Sequence, residues 1–119
     1  MKFARVLGFM VLLAASPGAL AHAFLDHATP AVGSQVHGSP DTLTLWFSEA
    51  LEPAFSSIKV LDAAGKQVDR GDTAADPKDP TALKVSLQHL APGEYRVMWR
   101  VLSVDTHVTE GKFTFSVRP

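Results

Sequence analysis

The sequence predicts an all-β protein: a single immunoglobulin-like, Greek-key β-sandwich of about seven strands, following a cleavable leader. Three observations carry this expectation. Apolar and polar residues alternate with period two in several short stretches rich in β-branched and aromatic residues. Proline and glycine punctuate the chain between those stretches, at Pro30, Gly33, Gly38-Ser39-Pro40, Pro53, Pro77, Pro80 and Pro92-Gly93. No helix-period run of about ten residues survives that punctuation beyond the leader.

The elements follow in order. His22 to Ala28 is expected to form a first, irregular strand. Leu43, Leu45 and Phe47 alternate with Thr44 and Trp46. Ile58 to Asp62 and Lys66 to Asp69 flank Ala63-Ala64-Gly65, a hairpin turn. Leu83, Val85 and Leu87 alternate with Lys84 and Ser86; Tyr95, Val97, Trp99 and Val101 with Arg96, Met98 and Arg100; Phe113, Phe115 and Val117 with Thr114, Ser116 and Arg118. Between them, Asp69 to Pro80 carries Asp69, Asp72, Asp76 and Asp79 and reads as a mobile connecting loop. A calcium loop is the sharper alternative, but the spacing does not match the EF-hand pattern.

Residues Met1 to Ala21 have the features of a secretory signal peptide: Lys2 and Arg5, an apolar run from Val6 to Ala15, a Ser16-Pro17-Gly18 break, and Ala19-Leu20-Ala21 as cleavage site. The run is too short to span a bilayer as a helix. Residues 22–119 then form one small domain. That domain carries nine basic and twelve acidic side chains, since Lys2 and Arg5 leave with the leader, for a net charge of −3. No basic cluster suggests nucleic acid. No later apolar stretch is long enough to cross a membrane. The absence of cysteine excludes a disulfide framework, a thiolate metal site and a cysteine nucleophile. A soluble, monomeric, periplasmic protein is expected.

Cleavage after Ala21 makes His22 the first residue. A terminal histidine offers two ligands at once, its free α-amine and its imidazole Nδ1, which close a six-membered chelate. An internal histidine has only an amide nitrogen in place of the amine. The second informative segment is Ser103-Val104-Asp105-Thr106-His107. On an extended backbone, Asp105 and His107 would point to one face. Combined with His22 they would supply three nitrogens and a carboxylate oxygen, a set that suits tetragonal Cu(II) better than tetrahedral Zn(II). Taken singly, a D-x-H is also what a strand-end ion pair looks like, and the terminal histidine matters only if the fold brings it beside residue 105.

The chain resembles the copper-resistance protein C family of periplasmic copper proteins. The matching residues are His22-Ala23, Thr29-Pro30-Ala31-x-Gly33, Leu45-x-Phe47-Ser48-Glu49, Leu90-x-Pro92-Gly93-x-Tyr95-x-Val97-x-Trp99, Ser103-x-Asp105-x-His107 and Gly111-x-Phe113-x-Phe115. They run the length of the mature chain. The resemblance implies a β-sandwich binding one Cu(II) through His22, Asp105 and His107; the family also has a glutamate near the site, matching Glu49, which reads either as a supporting or weak axial group or as a strand-end surface carboxylate. It also implies pairing with an inner-membrane copper transport protein. Thr106 stands where the family often has glycine; a positive φ there would strain a threonine, and the loop is expected to adjust. The methionine-rich Cu(I) segment that some family members carry has no counterpart here. Met98 is the one methionine beyond the leader and reads as a packing residue.

The other histidines are expected away from the site: His27 facing the opposite way from His22, His37 in a glycine-serine-proline loop, His89 on the surface before Pro92-Gly93. Trp46 and Trp99 read as packing residues. The functional expectation is a non-catalytic copper carrier or buffer. The rival classes are an oxidative enzyme built on a histidine brace, which Asp105 in an equatorial position would deter, and a metal-independent immunoglobulin-like binding module.

Overall fold

Period-two alternation decides which side of each strand meets the core, and the strands sort into two sheets accordingly. The structure, a computed structural model, describes residues 23–119; the leader and His22 lie outside the described residues. The strands are β1 (Leu25–Thr29), β2 (Gln35–His37), β3 (Thr42–Phe47), β4 (Ser57–Leu61), β5 (Ala74–Asp76), β6 (Asp79–Ser86), β7 (Gly93–Leu102) and β8 (Val108–Arg118). One sheet has the order β1-β3-β6-β5, the other β2-β8-β7-β4. All pairs are antiparallel except β2 with β8, which is parallel.

Leu43, Leu45 and Phe47 of β3, with Leu83 and Val85 of β6, face Val60 of β4, Val97 and Val101 of β7, and Phe115 and Val117 of β8; all are buried. Each large side chain removed from water contributes roughly 1.5–3 kcal/mol. Phe47 meets Trp99 edge-on across the two sheets, centroids 5.1 Å apart at 75°. Trp99 lies across Gly111, its cross-strand partner, where a Cβ would overlap the indole ring. That overlap is the physical reason for glycine in mid-strand.

Three expectations need correction. The expected loop around His37 contains β2, because three residues there add in parallel to the end of β8; three residues carry too little alternation to be seen in a sequence. Lys66 to Asp69 makes only isolated bridges, Leu61 to Gln67 and Asp69 to Leu87, although the Ala63-Ala64-Gly65 turn forms as expected with Gly65 at φ 85. The stretch from Asp69 to Pro80 is not a plain loop. It contains β5 and the start of β6, and its aspartates are hydrogen-bonded into the fold. The first strand is irregular as expected, with a register shift between Leu25 and His27.

The β7–β8 hairpin is the longest pairing, running from Gly93 opposite Val117 to Leu102 opposite Val108. Its tip is Ser103 to His107, at one end of the sandwich.

Candidate metal centre

Asp105 and His107 lie together, but not by strand alternation. Residues 103–107 form a turn rather than an extended segment. Ser103 N–H donates to the His107 carbonyl at 3.0 Å, and Thr106 N–H donates to the Ser103 carbonyl at 2.9 Å. Within this turn Asp105 Oδ1 stands 3.3 Å from His107 Nδ1. The fully buried Ser103 hydroxyl, at the base of the turn, donates to Asp105 Oδ1 and accepts the His107 N–H at 3.3 Å. This role of Ser103 is not apparent from the Ser103-x-Asp105-x-His107 spacing alone. The available signal was a hydroxyl two residues before an aspartate, a spacing that favours local side-chain bonding.

Thr106 has φ 72. The loop therefore does not adjust to the side chain, contrary to expectation. It keeps the left-handed conformation that glycine would adopt freely and that costs an L-residue roughly 1–2 kcal/mol. The turn's own hydrogen bonds hold it there.

Asp105 is the group best prepared to receive a cation. The Ser103 hydroxyl holds its carboxyl below the usual carboxylate range, against an opposing push from burial and with further help from His107. Its second oxygen, Oδ2, is buried and is the one such side-chain atom without a hydrogen-bond partner among the described residues. A buried, ionised oxygen without a donor is costly unless a proton or cation completes it. A carboxylate oxygen beside an imidazole nitrogen is a donor set that fits a divalent transition metal. Among the described residues no third histidine, aspartate or glutamate joins the pair.

The described chain starts beside this turn. The Ala23 carbonyl accepts the Thr109 hydroxyl at 2.7 Å, two residues beyond His107, and Ala23 is fully buried. Phe24 N–H donates to Ser48 Oγ at 2.9 Å, and Ser48 N–H to the Phe24 carbonyl at 2.8 Å. Thr109 and Ser48 thus tether the residues that follow His22, roles that sequence reasoning did not assign. Glu49, half-buried, follows Ser48. Beyond this bend the chain passes alongside the tip, where Val104 N–H donates to the Ala50 carbonyl at 3.0 Å and Leu51 bridges Ser103. The expected ligand His22 lies outside the described residues.

The remaining histidines are apart from this turn. His27 stacks on Trp46, centroids 4.3 Å apart at 6°, with Nδ1 2.7 Å from Asp26 Oδ2. His37 is exposed on β2, and His89 is exposed as expected. Trp99 is half-buried against the core as expected, whereas Trp46 stands on the outer face of β3, where it stacks on His27. Met98 departs from its expected packing role: it is 38% exposed on the outer face of β7. Among the described residues no helix is long and apolar enough to cross a membrane.

Residues 25–118 match the CopC domain family model. The chain is 39% identical over 104 residues to protein YobA of Escherichia coli K12, covering 87% of this chain and 84% of that protein. It superimposes on the crystal structure of CopC from Methylosinus trichosporium OB3b with a TM-score of 0.78 and 42% identity, covering 82% of this chain and 95% of that one. PcoC from Escherichia coli, described as a methionine-rich copper resistance protein, gives a TM-score of 0.74 at 32% identity, with 82% of this chain and all of that one covered.

Proposed function

The chain belongs to the CopC domain family, and on that premise we propose that it is a non-catalytic Cu(II) carrier or buffer in copper homeostasis or resistance. In this reading signal cleavage after Ala21 exposes His22, and the protein works in the periplasm. One Cu(II) is held by the His22 amine and imidazole, Asp105 and His107, and Glu49 orients the terminal residue. Copper is cargo, passed on to an inner-membrane copper transport protein.

The observation that carries the reading is the meeting of two features at one end of the sandwich. Asp105 and His107 form an incomplete donor pair with an unpartnered buried oxygen. The backbone immediately after His22 is tethered through Ala23 to Thr109 on the same hairpin. A terminal chelate would add two nitrogens from a single residue, lowering the entropy cost of gathering ligands. Tetragonal nitrogen and oxygen donors favour Cu(II), while Cu(I) requires soft thioethers. Met98 stands on an outer sheet face away from the pair, so the reading is Cu(II) only. The amine must lose its proton to bind, so affinity falls as pH falls.

The test is a Cu(II) titration of the His22-start protein beside a form with one extra residue before His22, followed by tryptophan fluorescence and copper EPR. One tight site with a nitrogen-rich tetragonal spectrum, absent from the extended form, is the expected result. Equal binding by both forms would remove the amine from the ligand set. Reduction to Cu(I) is expected to release the metal.

A further inference from the structure

The nine basic residues of the mature chain look scattered in sequence, but the fold gathers five of them on one surface. Lys59 of β4, Arg96 and Arg100 of β7, and Lys112 and Arg118 of β8 are exposed on the outer face of the β2-β8-β7-β4 sheet. That face carries two of the twelve carboxylates, Glu94 and Glu110. The other ten lie in turns or on the opposite sheet. Residues 22–119, of net charge −3, therefore present one broad face of net charge +3.

The centre of this face is Met98. Lys59 and Lys112 are its cross-strand partners on either side, with their backbones about 5 Å away. Arg96 and Arg100 are two residues before and after it, about 7 Å along the strand. Among the described residues only Arg100 of these four is ion-paired, with Glu110 at 3.7 Å between exposed side chains. At the edge of the face, Val32 is 58% exposed and borders a groove of about 430 Å³ shared with Arg96, Lys112 and Thr114.

We propose that this face docks on an anionic lipid bilayer. The charge is complementary to acidic headgroups, and each basic side chain at such a surface adds attraction. The arrangement favours a bilayer over an acidic protein for two reasons. The cations are distributed across three strands of one sheet face, with Arg96 and Lys112 alone sharing the groove beside Val32, rather than converging in a single cleft that would fork around individual carboxylates. The exposed apolar groups, Met98 at the centre of the cations and Val32 at the edge beside Arg96 and Lys112, can enter the headgroup layer. The Ser103–His107 turn closes the same β7–β8 hairpin, so it would ride at the membrane surface. This inference is independent of the metal reading, since none of its residues is an expected ligand.

The test is sedimentation of the mature chain with vesicles of phosphatidylcholine alone and of phosphatidylcholine mixed with phosphatidylglycerol. Binding is expected only to the anionic vesicles, and is expected to be lost at high salt. Arg96→Gln with Lys112→Gln should weaken it about 30-fold, at about fivefold per cation. Met98→Glu, on an exposed position, should also weaken it while leaving thermal unfolding unchanged. Lys78→Gln with Lys84→Gln, on the other side of the sandwich, should leave binding intact. Absence of binding to anionic vesicles, or equal losses from both double variants, would overturn the proposal. So would binding to polyglutamate, but not to vesicles, that depends on Arg96 and Lys112; that result would assign the face to an acidic protein.

Discussion

Two aspartate-bearing segments behave in opposite ways. From Asp69 to Asp79, the carboxylates serve the fold. Asp69 is buried and accepts Val60 N–H at 2.8 Å, Gly71 N–H at 2.9 Å and Gln67 Nε2 at 3.0 Å. Asp72 accepts Ser86 N–H at 2.8 Å, Asp76 accepts Lys78 N–H at 2.9 Å, and Asp79 accepts both the N–H and the hydroxyl of Thr81. These bonds account for the acidic run without a cation. In the Ser103–His107 turn, Asp105 has one oxygen held by Ser103 and His107 and the other buried without a donor. A run of four aspartates was the more conspicuous feature in sequence, yet among the described residues it is the solitary one that keeps a buried oxygen without a hydrogen-bond partner. Acid count does not show which carboxylate has unmet hydrogen-bonding capacity; the hydrogen-bond partners do.

The largest test of this contrast is His107→Ala, which should weaken Cu(II) binding by more than about 100-fold, beyond the range for groups outside the ligand set. Asp72→Ala should leave it unchanged in the same titration. Ser103→Ala should follow, at roughly 10–100-fold in metal affinity, because it releases Asp105 from its orientation. Asp69→Ala reverses the pattern. It strands the Val60 and Gly71 N–H groups and should cost about 2–3 kcal/mol in denaturant unfolding, with copper affinity intact in the folded protein.

Thr106→Gly should stabilise the protein by about 1 kcal/mol or less. Relief of the left-handed threonine is partly offset by the greater freedom of glycine in the unfolded chain. The smallest effect concerns pH. The hydroxyl and N–H of Ser86 lower the Asp72 carboxyl, and those of Thr81 lower that of Asp79. A depressed carboxyl contributes stability above its ordinary value, and that contribution is lost as pH falls through the lowered one. The urea midpoint should therefore decline below about pH 4, and Asp72→Asn with Asp79→Asn should flatten that decline slightly.

Much of this architecture was legible in sequence where alternation is long. The runs through Leu43–Phe47, Tyr95–Val101 and Phe113–Val117 each repeat the period often enough to mark a strand and its buried face. β2 and β5 were not legible, since three residues cannot display a period and their pairing comes from β8 and β6. At the candidate site, the residue types Asp105 and His107 were readable, and so was the risk at Thr106. Their meeting through a turn, the hydroxyl of Ser103 and the tethers at Thr109 and Ser48 were not, because each depends on contacts between residues that sequence spacing does not relate.

The sequence by itself determined the all-β class, the core-facing residues, the lack of thiol chemistry and the presence of the D-x-H pair, because these follow from residue type and short-range periodicity. Only the tertiary structure decided that Ala23 lies against the β7–β8 hairpin. It alone also gathered Lys59, Arg96, Arg100, Lys112 and Arg118 onto one face. Antiparallel pairing sets residues far apart in the chain side by side at strand spacing, so a surface dispersed along a sequence becomes one field of charge only when the sheet has formed.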